Sequence, residues 1–113
     1  MLVELDIFSG RRNPRWALEE PDAGRLELLH RRLARSKPPP AEVPGLGYRG
    51  FVYDLDGARW RALHGQVASR IGVLADPSRS VERFLADAMP AAYAELRAVI
   101  LGSTSPRPPP ATE

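Results

Sequence analysis

The sequence contains no cysteine in its 113 residues. Disulfides, thiolate metal sites and cysteine nucleophiles are excluded together, and the composition suits a reducing compartment. Long apolar runs are missing too. No stretch approaches the ~20 apolar residues that a membrane-spanning helix requires. The N-terminal segment MLVELDIF has no basic region, and Glu4 and Asp6 interrupt its short apolar run. That is not the pattern of a secretory signal. The expectation is a soluble cytoplasmic protein that does not meet a membrane.

Charge of one sign is scarce. Sixteen basic residues against fourteen acidic leave a net charge of +2. Fifteen of the sixteen are arginine, and with abundant alanine and proline this is the composition of a GC-rich genome. Arginine content alone is therefore no nucleic-acid signal. Only two histidines occur, His30 and His64, with no HxxxH or HxH spacing. A metal site would need distant carboxylates to join them. Both are expected at the surface or partly buried, and no metal or cofactor is expected.

What is present is ordinary globular material, 43% hydrophobic and 27% charged, which argues against general disorder. The length is that of one domain, able to bury roughly 65% of its unfolded surface. Segment 2–8, LVELDIF, alternates, with Val3, Leu5 and Ile7 on one face and Glu4 and Asp6 on the other. This is the period of a half-buried strand. The loop SGRRNPR follows at 9–15. Trp16-Ala17-Leu18 alternates again, as a short strand antiparallel to the first. Glu20-Pro21 opens a helix, on which Leu26, Leu29 and Leu33 recur at helical spacing. Residues 36–47 read as a long proline-rich connection.

Segment 50–63 is the most explicit. Asp56-Gly57 is a two-residue hairpin signal. It pairs Leu55 with Ala58, Asp54 with Arg59, Tyr53 with Trp60, Val52 with Arg61 and Phe51 with Ala62. One side then holds Phe51, Tyr53, Leu55, Ala58, Trp60 and Ala62, and the other a cross-strand Asp54–Arg59 ion pair. A slip of one residue would destroy that sorting. Residues 64–74 form either one strand continued through a bulge at Gly65 or two strands turning at His64-Gly65. Asp76-Pro77 or Ser80 starts a last helical run. Val81, Phe84, Leu85 and Ala88 make its stripe, continued by Ala92, Tyr93, Leu96, Val99 and Ile100. Pro90 should kink or split it, and Gly102 should stop it. Residues 103–113 read as a disordered proline-rich tail. The expected fold is a single α+β domain over 1–102, with a small antiparallel sheet of three to five strands packed by two or three helices.

The stretches ELDIFSGRRNPRW (4–16) and LGYRGF (46–51) together resemble a group of small uncharacterised bacterial proteins. These begin with a strand and an F-S-G-R-P-N-P-x-W motif, followed by a helix, a proline-rich connection and a G-Y-R-G-F segment. The resemblance covers most of residues 3–88. Arg12 departs from it, standing where the pattern has proline. It implies one shared architecture and supplies no reaction.

Residues 45–50, GLGYRG, carry the glycine spacing of a dinucleotide loop. That loop must follow a strand and open a helix. Here proline-rich chain precedes the glycines and a strand follows, so the glycines serve backbone geometry. Asp54-x-Asp56-Gly57 lacks the spacing and distal glutamate of a calcium loop and belongs to the hairpin. Ser9 lacks the G-x-S-x-G elbow. No catalytic constellation is visible. The remaining signal is the pair of glycine- and arginine-bearing loops beside strands. If they meet, Arg11, Arg12, Arg15 and Arg49 would offer forks to a carboxylate or phosphate, with Asn13 beside them and Trp16 and Tyr48 as a stacking wall. The leading expectation is a non-catalytic binding or accessory module for a protein, peptide or small anionic ligand. Two alternatives stand beside it. One is a small enzyme in which His64 and carboxylates converge in the fold. The other is nucleic-acid binding by a basic first helix carrying Arg25, Arg31, Arg32 and Arg35, with Lys37 beyond it, which the small net charge disfavours. An exposed strand edge would also permit a homodimer.

Overall fold

The computed structural model describes residues 1–37, 39, 42–45 and 47–104. Leu2–Leu5 (β1) and Arg15–Ala17 (β2) form the first antiparallel pair, and Asp22–Arg32 is the first helix (α1). Ala34–Ser36 (β3) follows it directly. Phe51–Leu55 (β4), Ala58–Leu63 (β5), Gln66–Ser69 (β6) and Gly72–Ala75 (β7) then run as a continuous meander. Ser80–Asp87 (α2), a short 3-10 turn at Ala91–Tyr93 and Leu96–Thr104 (α3) complete the described chain. The strands make one antiparallel sheet in the order β2-β1-β4-β5-β6-β7-β3.

The α+β class and the three helices agree with the sequence, but the sheet has seven strands among the described residues, not three to five. The extra strands have physical causes. His64 and Gly65 both have positive φ, 50° and 86°, the geometry of a tight hairpin turn. The chain therefore reverses there and again after Ser69, giving β6 and β7 in place of one bulged strand. α1 ends at Arg32, and Leu33 turns extended at φ −81° and ψ 141°. That releases Ala34–Ser36 to pair with β7. At the other end, the backbone of α3 continues past Gly102 to Thr104, and the remainder of the tail expected over 103–113 lies outside the described residues.

The central hairpin forms in the register its sequence dictates, with all five pairs from Phe51–Ala62 to Leu55–Ala58 in place. Asp56 and Gly57 both have positive φ, 52° and 77°. Phe51, Tyr53, Leu55, Ala58, Trp60 and Ala62 are all buried, while Asp54 and Arg59 face water 3.7 Å apart. Fully burying each large aromatic here is worth roughly 2–3 kcal/mol. On the same face lie Val3, Leu5 and Val67, covered by Leu26 of α1, Val81 and Leu85 of α2, and Ile100 of α3. The opposite face is polar and half exposed, as an antiparallel sheet allows.

His30 sits in this core. Its Nε2 lies 2.5 Å from Tyr53 Oη, and its ring meets Tyr53 and Trp60 edge-on. Trp60 Nε1 donates to the Leu55 carbonyl at 3.1 Å. Burial lowers the imidazole pKa below 6.5, against the opposing charges of Asp56 and Asp76. The folded state thus favours neutral His30, whereas the unfolded chain binds a proton near pH 6.5. Stability is complete above that pH and falls as pH drops from 6.5 toward the lowered folded value.

Gly50 is fixed by close approach. It has φ +103°, and a Cβ there would lie 2.5 Å from the Ala62 carbonyl oxygen. Gly50→Ala is expected to cost at least about 2 kcal/mol, read as a lower midpoint in chemical denaturation; an unshifted midpoint would refute the constraint. Stability measured from pH 7 to 5 is expected to fall in the wild type, and His30→Gln should flatten that slope. An equal slope in both proteins would assign the proton uptake to other groups.

Candidate functional site

The two glycine-arginine loops meet, and the residue that joins them is Asp6, just beyond β1. Its backbone continues the β1–β4 pairing: Asp6 N–H donates to the Gly50 carbonyl at 2.9 Å, and Arg49 N–H donates to the Asp6 carbonyl at 2.7 Å. Its carboxylate accepts from Arg49 Nε at 2.9 Å, from an Arg61 η-nitrogen at 2.8 Å and from Asn13 Nδ2 at 3.3 Å. Burial raises the Asp6 pKa, but hydrogen bonds and charge from Arg61 and Arg49 outweigh it, so the carboxyl sits below its ordinary 3.8.

Asn13 is the second part of the clamp. Its Oδ1 accepts from the Ile7 and Phe8 backbone N–H groups, at 3.0 and 2.8 Å, and its Nδ2 donates to Glu4 at 2.9 Å. The SGRRNPR loop is thereby folded back on the strand it leaves. Arg49 completes the join by donating to the Phe8 carbonyl at 2.5 Å and the Gly45 carbonyl at 3.0 Å.

The residues singled out in the two loops therefore divide. Asn13 and Arg49 lie together in the clamp, with Arg49 turned inward. Trp16 and Tyr48 are buried, each edge-on to Phe51, at 6.1 and 6.2 Å. Arg15 points to the outer sheet face and pairs with Glu4 at 3.2 Å. Arg11 faces outward, with its guanidinium carbon 3.8 Å from the Phe8 ring centroid.

Arg11 opens onto a cleft of about 400 Å³. Phe8, Arg11 and Arg12 line one wall; Tyr93, Glu95 and Leu96 line the other. The C-terminal wall escapes sequence reasoning because Tyr93 and Leu96 read as part of an apolar helical stripe. Pro90 was the available signal: it ends the helical run, and the 3-10 turn that follows leaves Tyr93 half exposed. Among the described residues, Arg11, Arg12 and Glu95 have no ion-pair partner, while Arg97 nearby is paired with Asp87.

A buried carboxylate, Glu82, anchors Tyr48 on the core side. Glu82 accepts from Tyr48 Oη at 2.5 Å, the Gly65 N–H at 3.0 Å and Arg79 at 3.0 and 3.2 Å. Burial and the Glu82 charge hold the Tyr48 hydroxyl far above its ordinary pKa, so it remains a donor. His64 is exposed in the neighbouring turn, its ring 5.9 Å from that of Tyr48. On α1, Arg25 pairs with Asp22, and Arg35 belongs to β3 instead, which divides the expected basic patch. Among the described residues no cluster of three His, Cys, Asp or Glu side chains has metal-binding geometry, and no helix is long and apolar enough to cross a membrane. No family model matches the chain, and no curated protein or solved structure matches it significantly.

Asn13→Ala removes the acceptor for two backbone donors and a bond to a carboxylate, a loss of about 2–3 kcal/mol. Faster hydrogen exchange at Ile7 and Phe8 should accompany the lower stability. Unchanged exchange at those amides would mean that Asn13 does not hold the loop.

Proposed function

We propose that the protein is a non-catalytic binding module that takes an anionic group, on a small molecule or an acidic peptide, at the cleft between the SGRRNPR loop and the 3-10 turn. The observation that carries this reading is the contrast between two sets of arginines. Arg49 and Arg61 are both engaged by Asp6, whereas Arg11 and Arg12 line a concave, partly apolar cleft with no carboxylate partner among the described residues. Guanidinium groups are well suited to carboxylate and phosphate, offering several donors in a fixed fork. The cleft volume falls within the roughly 300–1,000 Å³ of small-ligand sites. The clamp beneath the loop keeps the binding geometry in place before a ligand arrives, which reduces the ordering cost of association.

Thermal-shift titration with carboxylates, phosphate esters and acidic peptides tests the proposal. At least one class should raise the Tm of the wild type and leave an R11A/R12A double variant unmoved. Both side chains are exposed, so the variant itself should lose little stability beyond the ~0.5–1 kcal/mol of the Arg11–Phe8 contact. Equal responses from the two proteins, or none from the wild type, would overturn the reading.

A further inference from the structure

The cleft is lined by charge of both signs from two separate segments. Arg11 and Arg12 come from the loop after β1, and Glu95 from the residue just before α3. No ion pair links the two walls, and the cation nearest Glu95 in sequence, Arg97, is engaged with Asp87. Opposite charges that share a cleft without meeting leave room for a molecule that bridges them. Between them the lining is apolar: the Phe8 ring under Arg11, with Tyr93 and Leu96 opposite.

We infer that the cleft binds a small zwitterion with an apolar body, of the class of a free α-amino acid with an aromatic or large aliphatic side chain. The ligand carboxylate meets Arg12 and Arg11, its ammonium meets Glu95, and its side chain lies between Phe8 and the Tyr93–Leu96 wall. A simple anion would leave Glu95 facing it unpaired, and like charges in one site repel. A simple cation would meet two uncompensated arginines. A cleft of about 400 Å³ also suits a molecule of this size better than a folded partner. This assignment rests on the binding-module reading and narrows its ligand.

Three probes with one phenyl body separate the possibilities: phenylalanine, phenylpropanoate (which lacks the ammonium) and phenethylamine (which lacks the carboxylate). Each is titrated into the full chain, followed by backbone amide shifts at Asn13 and Tyr93. Phenylalanine should bind about tenfold more tightly than either analogue, a difference of about 1.4 kcal/mol. Glu95→Gln should abolish that advantage over phenylpropanoate, weakening phenylalanine while phenylpropanoate binds as well as before or more tightly, since the repelling charge is gone. Arg12→Ala should weaken both carboxylates. Both positions are exposed, so neither variant threatens the fold. If phenylpropanoate equals phenylalanine in the wild type, or Glu95→Gln changes nothing, the zwitterion assignment falls and the anion-binding reading stands. If none of the three probes shifts these amides, the assignment falls as well, and the thermal-shift titration decides the broader reading.

Discussion

The Asp6 carboxylate is the point on which the two loops depend. It holds Arg49 and Arg61, which lie 43 and 55 residues along the chain, and it touches Asn13 from the loop that immediately follows it. The attraction alone does not guarantee stability. Partly burying a carboxylate and two guanidiniums costs desolvation that an ion pair often no more than offsets. The gain here is specificity. Each partner of Asp6 also bonds the backbone: Arg49 to the Phe8 and Gly45 carbonyls, Arg61 to the Arg49 carbonyl at 2.6 Å, Asn13 to two backbone N–H groups. Removing the carboxylate would leave two cations facing carbonyls with no counter-charge. The loop conformation and the β1–β4 pairing are thus selected together.

Glu82 does the equivalent work from the other side of the sheet. Tyr48 and Arg49 are consecutive residues of an extended segment, so their side chains leave on opposite faces. Tyr48 goes inward to Glu82 and Arg49 goes to Asp6. The second loop is consequently anchored on both faces just where it becomes β4. Glu82 also accepts the Gly65 N–H, which ties the β5–β6 turn to α2. α2 itself begins against Asp76, a buried carboxylate that accepts from the Ser80 and Val81 N–H groups at 3.0 and 2.9 Å. That is helix capping by a side chain four residues ahead of the helix. Arg79, adjacent to the helix and in the left-handed region at φ 61°, turns its side chain onto Glu82 instead.

The parts of the fold legible in the sequence are those in which local chemistry and burial agree. In residues 51–62, two-residue periodicity and an Asp-Gly turn each specify the same register. In residues 64–75 they do not agree, because Gln66, Ala68, Val73 and Leu74 are all half-buried and alternation fades. β3 is less legible still: its residues, Ala-Arg-Ser, become a strand only because β7 presents an open edge. The site shows the same division. Glycine and arginine marked both loops as unusual, but the direction each arginine takes depends on Asp6. Its alternation with Leu5 and Ile7 marks it only as a residue off the core face. Nothing in the spacing shows that Arg49 and Arg61 converge on it.

Arginines at this cleft carry more weight than exposed arginines elsewhere. Exposed guanidiniums are ordinary, and on the outer sheet face Arg15 and Arg59 make solvent-screened pairs worth little. Arg11 and Arg12 differ because the loop beneath them is fixed by Asn13 and Arg49, and because Phe8 holds the Arg11 guanidinium over its ring. A cation on a fixed backbone, lining a concave and partly apolar cleft, has already lost part of the freedom that binding would otherwise remove. The internal carboxylate therefore has two consequences. It turns Arg49, which the sequence offers as a ligand contact, inward, and together with Asn13 it fixes the neighbouring loop from which Arg11 and Arg12 project without an ion-pair partner among the described residues.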